Sequence, residues 1–374
     1  MKLAPHILLT PFYFDMDKDL KRIERLQPKS IKLVDADPGF VSVIHEASPK
    51  SLIILRKHGM SEEHGAMAAY PTSTATRHAA EWAAFLDNPM MTVPRDKIAV
   101  EGINEPQVWD AMEQSIVYTA EFGISANTWD MRAVLGNYGV GWVGSDGEGM
   151  PPHWENYNRV REVLLDYPQH FLGLHEYWPH TGPRENWPWW SGRFTMCPWK
   201  VPIIIGECGV DELVWNPLVT HAQRGYKHYM NGGEFNQQLI TYEKEIQKDD
   251  RIHSANVFSW YGNVDHWGSF WCQNVFDMIP TNYDFHDPWR PPPTGTFKQS
   301  VIEVANNAQC IMPNPAAALQ KEIYRDGFFP TSNEVEETID GIAYVIQRAD
   351  TLEGAARAYY VIKGEWEAVA RFDI

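Results

Sequence analysis

Eight short apolar runs between residues 6 and 262, each followed by a stretch with helical patterning, restrict the fold of this chain more than any other feature. They are HILLTPF (6–12), SIKLVD (30–35), SLIILRKH (51–58), KIAVEGINEP (97–106), GISANTWD (123–130), FLGLHEYW (171–178), VPIIIGE (201–207) and SANVFSWYG (254–262). Runs this continuously apolar read as strands buried on both faces, the signature of a parallel sheet covered by helices. Between them lie apolar positions at helical spacing, such as Leu20, Ile23 and Leu26, and the segments 74–86 and 108–122. Eight β-then-α units predict an α/β fold of the closed (β/α)₈, or TIM-barrel, type. An open doubly wound sheet is the alternative, but no G-x-G-x-x-G follows the first run.

A barrel of ~250 residues with long loops leaves part of the 374 residues over. A Pro-rich segment at 288–297 leads into one more helix pattern, and MPNPA at 312–316 reads as a linker. Two domains follow: a barrel over 1–312 and a small α+β appendage over 313–374. In the appendage, 314–327 predicts a helix closed by Gly327. Residues 341–350 and 356–372 predict strands, the second split by a turn at Lys363 and Gly364.

The formal net charge of −17 argues against nucleic acid and anionic membrane surfaces, and a neutral ligand fits it better. Cys197, Cys208, Cys272 and Cys310 form no C-x-x-C pair, so neither a zinc site nor a disulfide framework is indicated, and one or two disulfides stay open. His153, His175 and His180 are too irregularly spaced for a metal site, and no cofactor is expected. The first 17 residues make a poor signal peptide, and no run approaches the ~20 apolar residues of a membrane span. A soluble chain without membrane insertion is expected, cytoplasmic or released by another route.

Barrel chemistry collects where strands end and loops begin. The fourth run ends in Asn104, Glu105 and Pro106, the sixth in His175, Glu176 and Tyr177, the seventh in Gly206, Glu207 and Cys208, and the eighth carries Trp260. A carboxylate closing a run such as VPIIIGE is costly to bury without a partner, which points to a task. Two carboxyls ~5–5.5 Å apart can break a glycosidic bond with retention, one attacking the anomeric carbon and the other protonating the departing oxygen. Long side chains at Glu105 and Glu207, from strands across the barrel mouth, suit that pairing. Asn104 is then placed for a sugar 2-hydroxyl, Tyr177 to hydrogen-bond Glu207, and Trp260 as the floor beneath a sugar ring.

These residues give the chain a resemblance to the clan A glycoside hydrolases, the 4/7 superfamily, over roughly residues 1–308. Members carry an Asn-Glu, often Asn-Glu-Pro, acid/base after strand four and a Glu nucleophile after strand seven; N-E-P at 104–106 and I-I-I-G-E at 203–207 match. The H-x-Y of His175 and Tyr177 is similar to the family 5 type, in which the Tyr contacts the nucleophile, and Trp260 to the strand-eight platform. For the Arg and His that family 5 supplies near the early strands, Arg56 and His58 are the nominees.

The resemblance implies a retaining β-glycosidase without a cofactor, acting on an oligo- or polysaccharide. Nine of the sixteen Trp bunch between 178 and 271, including Trp178, Trp187, Trp189, Trp190 and Trp199 on loops, and suggest a long cleft. That favours endo action on a β-glucan, mannan or xylan over an exo-acting β-glycosidase. Asp35 after the second run, Asn127 and Trp129 in the fifth, and Trp178 and Trp267 complete the candidate substrate contacts. Each residue has a plainer reading. Glu105 could serve a helix N-terminus, Glu207 an ion pair, Asn104 a turn, His175 the core, and Trp260 and Trp267 packing. Alternation along the strand turns Glu176 away from the face shared by His175 and Tyr177. A carbohydrate-binding barrel without turnover and a metal-dependent barrel enzyme are the rival classes, since one architecture hosts many chemistries.

Overall fold

A computed structural model describes residues 1–9, 14–106, 111–140, 154–184, 187, 190–214, 216, 218–220, 223–261 and 267–278, together with four strands between 334 and 373. Contacts divide the chain into two compact units, Met1–His228 with Gln237–Thr281, and Tyr229–Asn236 with Asn282–Ile374.

The first unit is a closed barrel of eight parallel strands: β1 (Leu3–Leu8), β2 (Ser30–Val34), β3 (Leu52–Arg56), β4 (Ile98–Glu101), β5 (Arg132–Tyr138), β6 (Phe171–Trp178), β7 (Ile203–Val210) and β8 (Ile252–Val257). Parallel pairing of Leu3 with Ala255 closes the ring. Helices between the strands include α1 (Met16–Leu26), α2 (Pro38–Ala47), α3 (His58–Ser61), α4 (His64–Ala69), α5 (Pro71–Leu86), α6 (Met112–Thr128), α7 (Asn158–Asp166), α8 (Gly232–Gln247) and α9 (Gln273–Asp277). Leu52, Ile54, Ala99, Val134, Phe171 and Ile204 form an apolar plug inside the ring. They alternate along their strands with residues that pack outward on the helices.

Strand five differs from the sequence expectation. Residues 123–128 are the last turns of α6, and the strand is the following run, Arg132–Tyr138. Buried Ser115, Tyr118, Thr119, Phe122, Gly123 and Ala126 recur at three- and four-residue spacing, so the helical period runs through the segment that reads locally as a strand. Gly123 allows the close packing: a Cβ there would meet Val163 at 2.7 Å and Leu135 at 2.8 Å. Asn127 and Trp129 therefore lie where α6 passes into β5, at the N-terminal end of the barrel and away from the rim where the strands end. Asn127 accepts from Gln169 at 2.6 Å, and the Trp129 carbonyl accepts from Arg95 at 3.0 Å.

The second unit contains an antiparallel sheet ordered β12-β11-β10-β9, with β9 (Glu334–Ile339), β10 (Ile342–Gln347), β11 (Ala355–Ile362) and β12 (Glu365–Asp373). Three of the four match the expected strands, and β9 was not anticipated. Residues 314–327 and the expected boundary at 312 lie outside the described residues. Among the described residues, no helix is long and apolar enough to cross a membrane. Cys197, Cys208 and Cys272 are free thiols, all buried.

Candidate active site

The site begins with a β-bulge. Ile204 points into the plug, so strict alternation would aim Gly206 inward and Glu207 out. The pairing of β6 with β7 instead slips by one residue, from Leu174 opposite Ile205 to His175 opposite Glu207, and Gly206 is the extra residue. Bulges of this kind re-aim a side chain, and glycine in a strand often marks one. A Cβ on Gly206 would sit 3.1 Å from Asn137 Oδ1 and 3.3 Å from His175 Nε2. The I-I-I-G-E motif thus turns its carboxylate into the barrel beside His175.

Glu207 is 6% exposed and fully partnered. Its Oε1 accepts from Arg56 Nη1 at 2.8 Å and lies 3.6 Å from Lys32 Nζ; its Oε2 accepts from the Tyr177 hydroxyl at 2.7 Å and lies 3.7 Å from His175 Nδ1. Burial favours the neutral acid, but the combined attraction of His175, Lys32, His6 and Arg56 outweighs it and holds the carboxyl well below the usual range. His6 is itself pushed well below its ordinary range by burial and stands neutral at neutral pH. Burial and the negative charge of Glu207 push the Tyr177 phenol well above its ordinary range, so it remains a donor.

Glu105 reaches the same place from the turn after β4. Gly102 packs against Tyr118, whose hydroxyl accepts from Ile103 N at 3.1 Å. The Asn104 backbone N–H donates to Ser61 O at 3.0 Å, and its backbone carbonyl meets His64 Nε2 at 2.8 Å. Glu105 then takes φ 44°, a left-handed conformation that non-glycine residues adopt rarely and mostly where the surroundings impose it. Its carboxylate, partly exposed, lies with Oε1 2.8 Å from His175 Nδ1. One imidazole nitrogen therefore touches both carboxylates. Glu105 Oε1 and Glu207 Oε2 are no further apart than 2.8 Å and 3.7 Å laid end to end.

A cavity of about 750 Å³ opens over this pair. Glu105, Glu207, Asn104, Tyr177, Arg56 and His58 line it with Glu62, Asp211 and Arg224, and an apolar wall is built from Leu8, Val214, Phe258, Trp267 and Phe270. Arg224 donates to Asp211 through Nε at 3.0 Å and lies over the Trp267 ring at 5.5 Å.

Of the expected contacts, Asn104, Tyr177 and Trp267 reach the cavity, and His175 sits buried against both acids. Trp260 does not reach it. It is fully buried, donates Nε1 to Asp19 at 3.2 Å on α1 and packs on Phe276 at 5.1 Å, so it is a core residue. Phe258, two residues earlier, is the aromatic that strand eight presents to the cavity. Trp178 is likewise buried, with Nε1 on Gln238 at 2.8 Å and its ring on Tyr242. Asp35 is exposed and accepts from His58 N at 2.8 Å without lining the cavity. Among the loop Trp, Trp190 lines the cavity, Trp199 packs on Trp154, Trp187 on Phe194, and Trp189 is outside the described residues. Glu176 faces outward as alternation predicts, accepting from Gly192 N at 2.8 Å and Phe194 N at 3.2 Å.

Sequence reasoning missed Lys32 and Glu101. Both interrupt apolar strands, and their side chains, entirely buried, pair at 2.9 Å inside the barrel. A charge in the middle of SIKLV and another at the end of IAVE were the available signal.

No protein-family model matches the sequence, and neither does any curated protein. Among solved structures, the chain is similar to a β-glucuronidase from Ruminococcus gnavus, at 14% identity and a TM-score of 0.44, over 70% of this chain and 43% of that one. It is also similar to the catalytic domain of a mannanase from Streptomyces sp. SirexAA-E, at 16% identity and a TM-score of 0.42, over 78% and 82% of the two chains. The chain thus spans less than half the length of the β-glucuronidase.

Proposed function

We propose that this protein is a retaining glycoside hydrolase acting on β-linked glycans, with Glu207 as nucleophile and Glu105 as acid/base. The observation that carries it is the pairing of a buried, cation-held carboxylate with a more exposed one across a single imidazole, at the mouth of a barrel. Their separation, bounded by the two contacts to His175, falls at or below the short edge of the ~6.5–9.5 Å that inverting enzymes need for a water between them. In the first step Glu207 bonds to the anomeric carbon as the glycosidic C–O bond breaks, and the leaving oxygen takes the Glu105 proton. In the second, Glu105 removes a proton from water, whose oxygen displaces Glu207 from the same carbon with net retention. Asn104 supports this by holding its amide at the cavity wall, and Phe258 and Trp267 by offering apolar surface to a sugar ring.

Hydrolysis of aryl β-glycosides, β-glucan, mannan and xylan by the wild type, Glu207→Ala and Glu105→Ala, each with and without azide, tests the reading. Glu207→Ala is expected to lose at least ~10³-fold in kcat and to recover with azide as an α-glycosyl azide. Glu105→Ala is expected to keep its first step on activated aryl substrates and to give the β-azide. Undiminished turnover in Glu207→Ala would sink the assignment. The product lengths from the polysaccharides separate endo from exo action.

A further inference from the structure

We infer that Lys32, with Glu101 as its counter-ion, is a positioning residue that holds the Glu207 carboxylate ionised from inside the barrel. The inference rests on the reading of Glu207 as the nucleophile. Lys32 Nζ lies 2.9 Å from Glu101 Oε2 and 3.6 Å from Glu207 Oε1, and all three side chains are buried. Arg56, the other cation on that oxygen, lines the cavity and is shared with Ser61 and Glu62. Lys32 does not line the cavity, so substrate entering from the rim leaves it in place.

The other ionisable groups facing Glu207 are His6 from β1, Arg56 from β3, Glu101 from β4 and Glu105 from the turn after it, and His175 and Tyr177 from β6. A buried ion pair is a poor way to stabilise a fold, since well-packed neutral residues of similar volume often do as well or better. Around it the ring is filled by apolar Leu52, Ile54, Ala99, Val134, Phe171 and Ile204 and by neutral Ser30, Ser254 and Asn256, which hydrogen-bond one another, so neutral side chains fill the interior elsewhere.

The charge arithmetic explains why both members are present. With Glu207 ionised, Lys32 and Arg56 face Glu101 and Glu207, with Glu62 beside Arg56 toward the cavity. Once Glu207 is esterified by the sugar it carries no charge. Glu101 then remains beside Lys32 and Glu62 beside Arg56, so neither cation is stranded in a low-dielectric interior. Lys32 also stabilises the carboxylate that must leave in the second step.

The test follows the Glu207 carboxylate itself by ¹³C NMR of Glu-labelled protein, its resonance assigned by subtraction against Glu207→Gln, in the wild type, the amide pair K32Q/E101Q, the apolar pair K32M/E101M and E101Q alone. Both pairs are expected to fold and to move the Glu207 titration midpoint up by about one to two pH units, while E101Q moves it the other way or leaves it below the accessible range. The acidic limb of kcat/KM should rise with it. A midpoint unchanged in both pairs, or loss of folding in both, overturns the inference, because a pair needed only for structure gives the second result. Absence of glycosidase activity in the wild type would instead overturn the nucleophile reading, and the resonance would still report whether Lys32 controls Glu207.

Discussion

Tyr177 shows how much depends on single atoms at this site. Its hydroxyl donates at 2.7 Å to the oxygen of Glu207 that Arg56 does not hold. A hydrogen bond to a charged acceptor contributes ~1.5–3 kcal/mol, so Tyr177→Phe should lower kcat/KM about 10–100-fold. It should also raise the pH at which the acidic limb falls and lower the melting temperature by a few degrees; a pH–rate profile beside a thermal melt checks both. The aromatics divide in the opposite sense. Trp260→Ala should cost ~3–5 kcal/mol of stability through a core cavity, whereas Trp267→Ala should leave stability largely intact and raise KM. Urea unfolding and steady-state kinetics on the two variants separate the cases. The motif residues were legible because a charge closing an apolar run has few innocent explanations. Trp260 was misread because a motif names a strand end but not which side of the bulged backbone a ring takes.

His170 plays the equivalent part between elements. Its Nδ1 accepts from Ala133 N at 3.1 Å, at the start of β5, and its Nε2 meets Gly123 O at 3.0 Å on α6. Only the neutral ring can accept at one nitrogen and donate at the other, and burial lowers it to about 4. Above pH ~6.5 the ring is neutral folded or unfolded and the contribution is whole. Between ~6.5 and 4 the unfolded chain takes up a proton that the folded one refuses, so stability falls as pH falls, by on the order of 2–3 kcal/mol. Melting from pH 7 to 4 should therefore converge for wild type and His170→Gln; parallel curves would show that His170 has no such role. The same α6–β5 junction is where sequence reading slipped. Gly123 and Ala126 are small because helix and strand approach closely, and small residues blur the difference between period two and period 3.6. Strands 6 and 7, opening on Phe171 and Leu172 and on Ile203, Ile204 and Ile205, left no such ambiguity.

Across the whole molecule, eight repeats of strand and helix announced the ring, while its charged interior could be found only once the ring was closed and residues distant in sequence met. Lys32 and Glu207 are 175 positions apart yet 3.6 Å from each other. The net charge of −17, together with Glu62, Glu105, Glu207 and Asp211 at the cavity, should select against anionic sugars, since Arg56 and Arg224 are already paired with acids. An aryl β-glucoside should be turned over at least ~10-fold faster than the matching β-glucuronide, with the gap narrowing as salt is added. Rates for the two at low and high ionic strength decide it.

The buried thiols extend this to motion. Cys208 follows Glu207 on β7 and Cys272 precedes α9; burial pushes the Cys208 thiol well above its ordinary range and the Cys272 thiol up as well. A thiol reacts as its thiolate, and only when reagent can reach it. Alkylation of these two positions, followed by peptide mass, should proceed no faster than the packing around each thiol opens. The strand that bears Glu207 thus carries its own clock for how often its surroundings open.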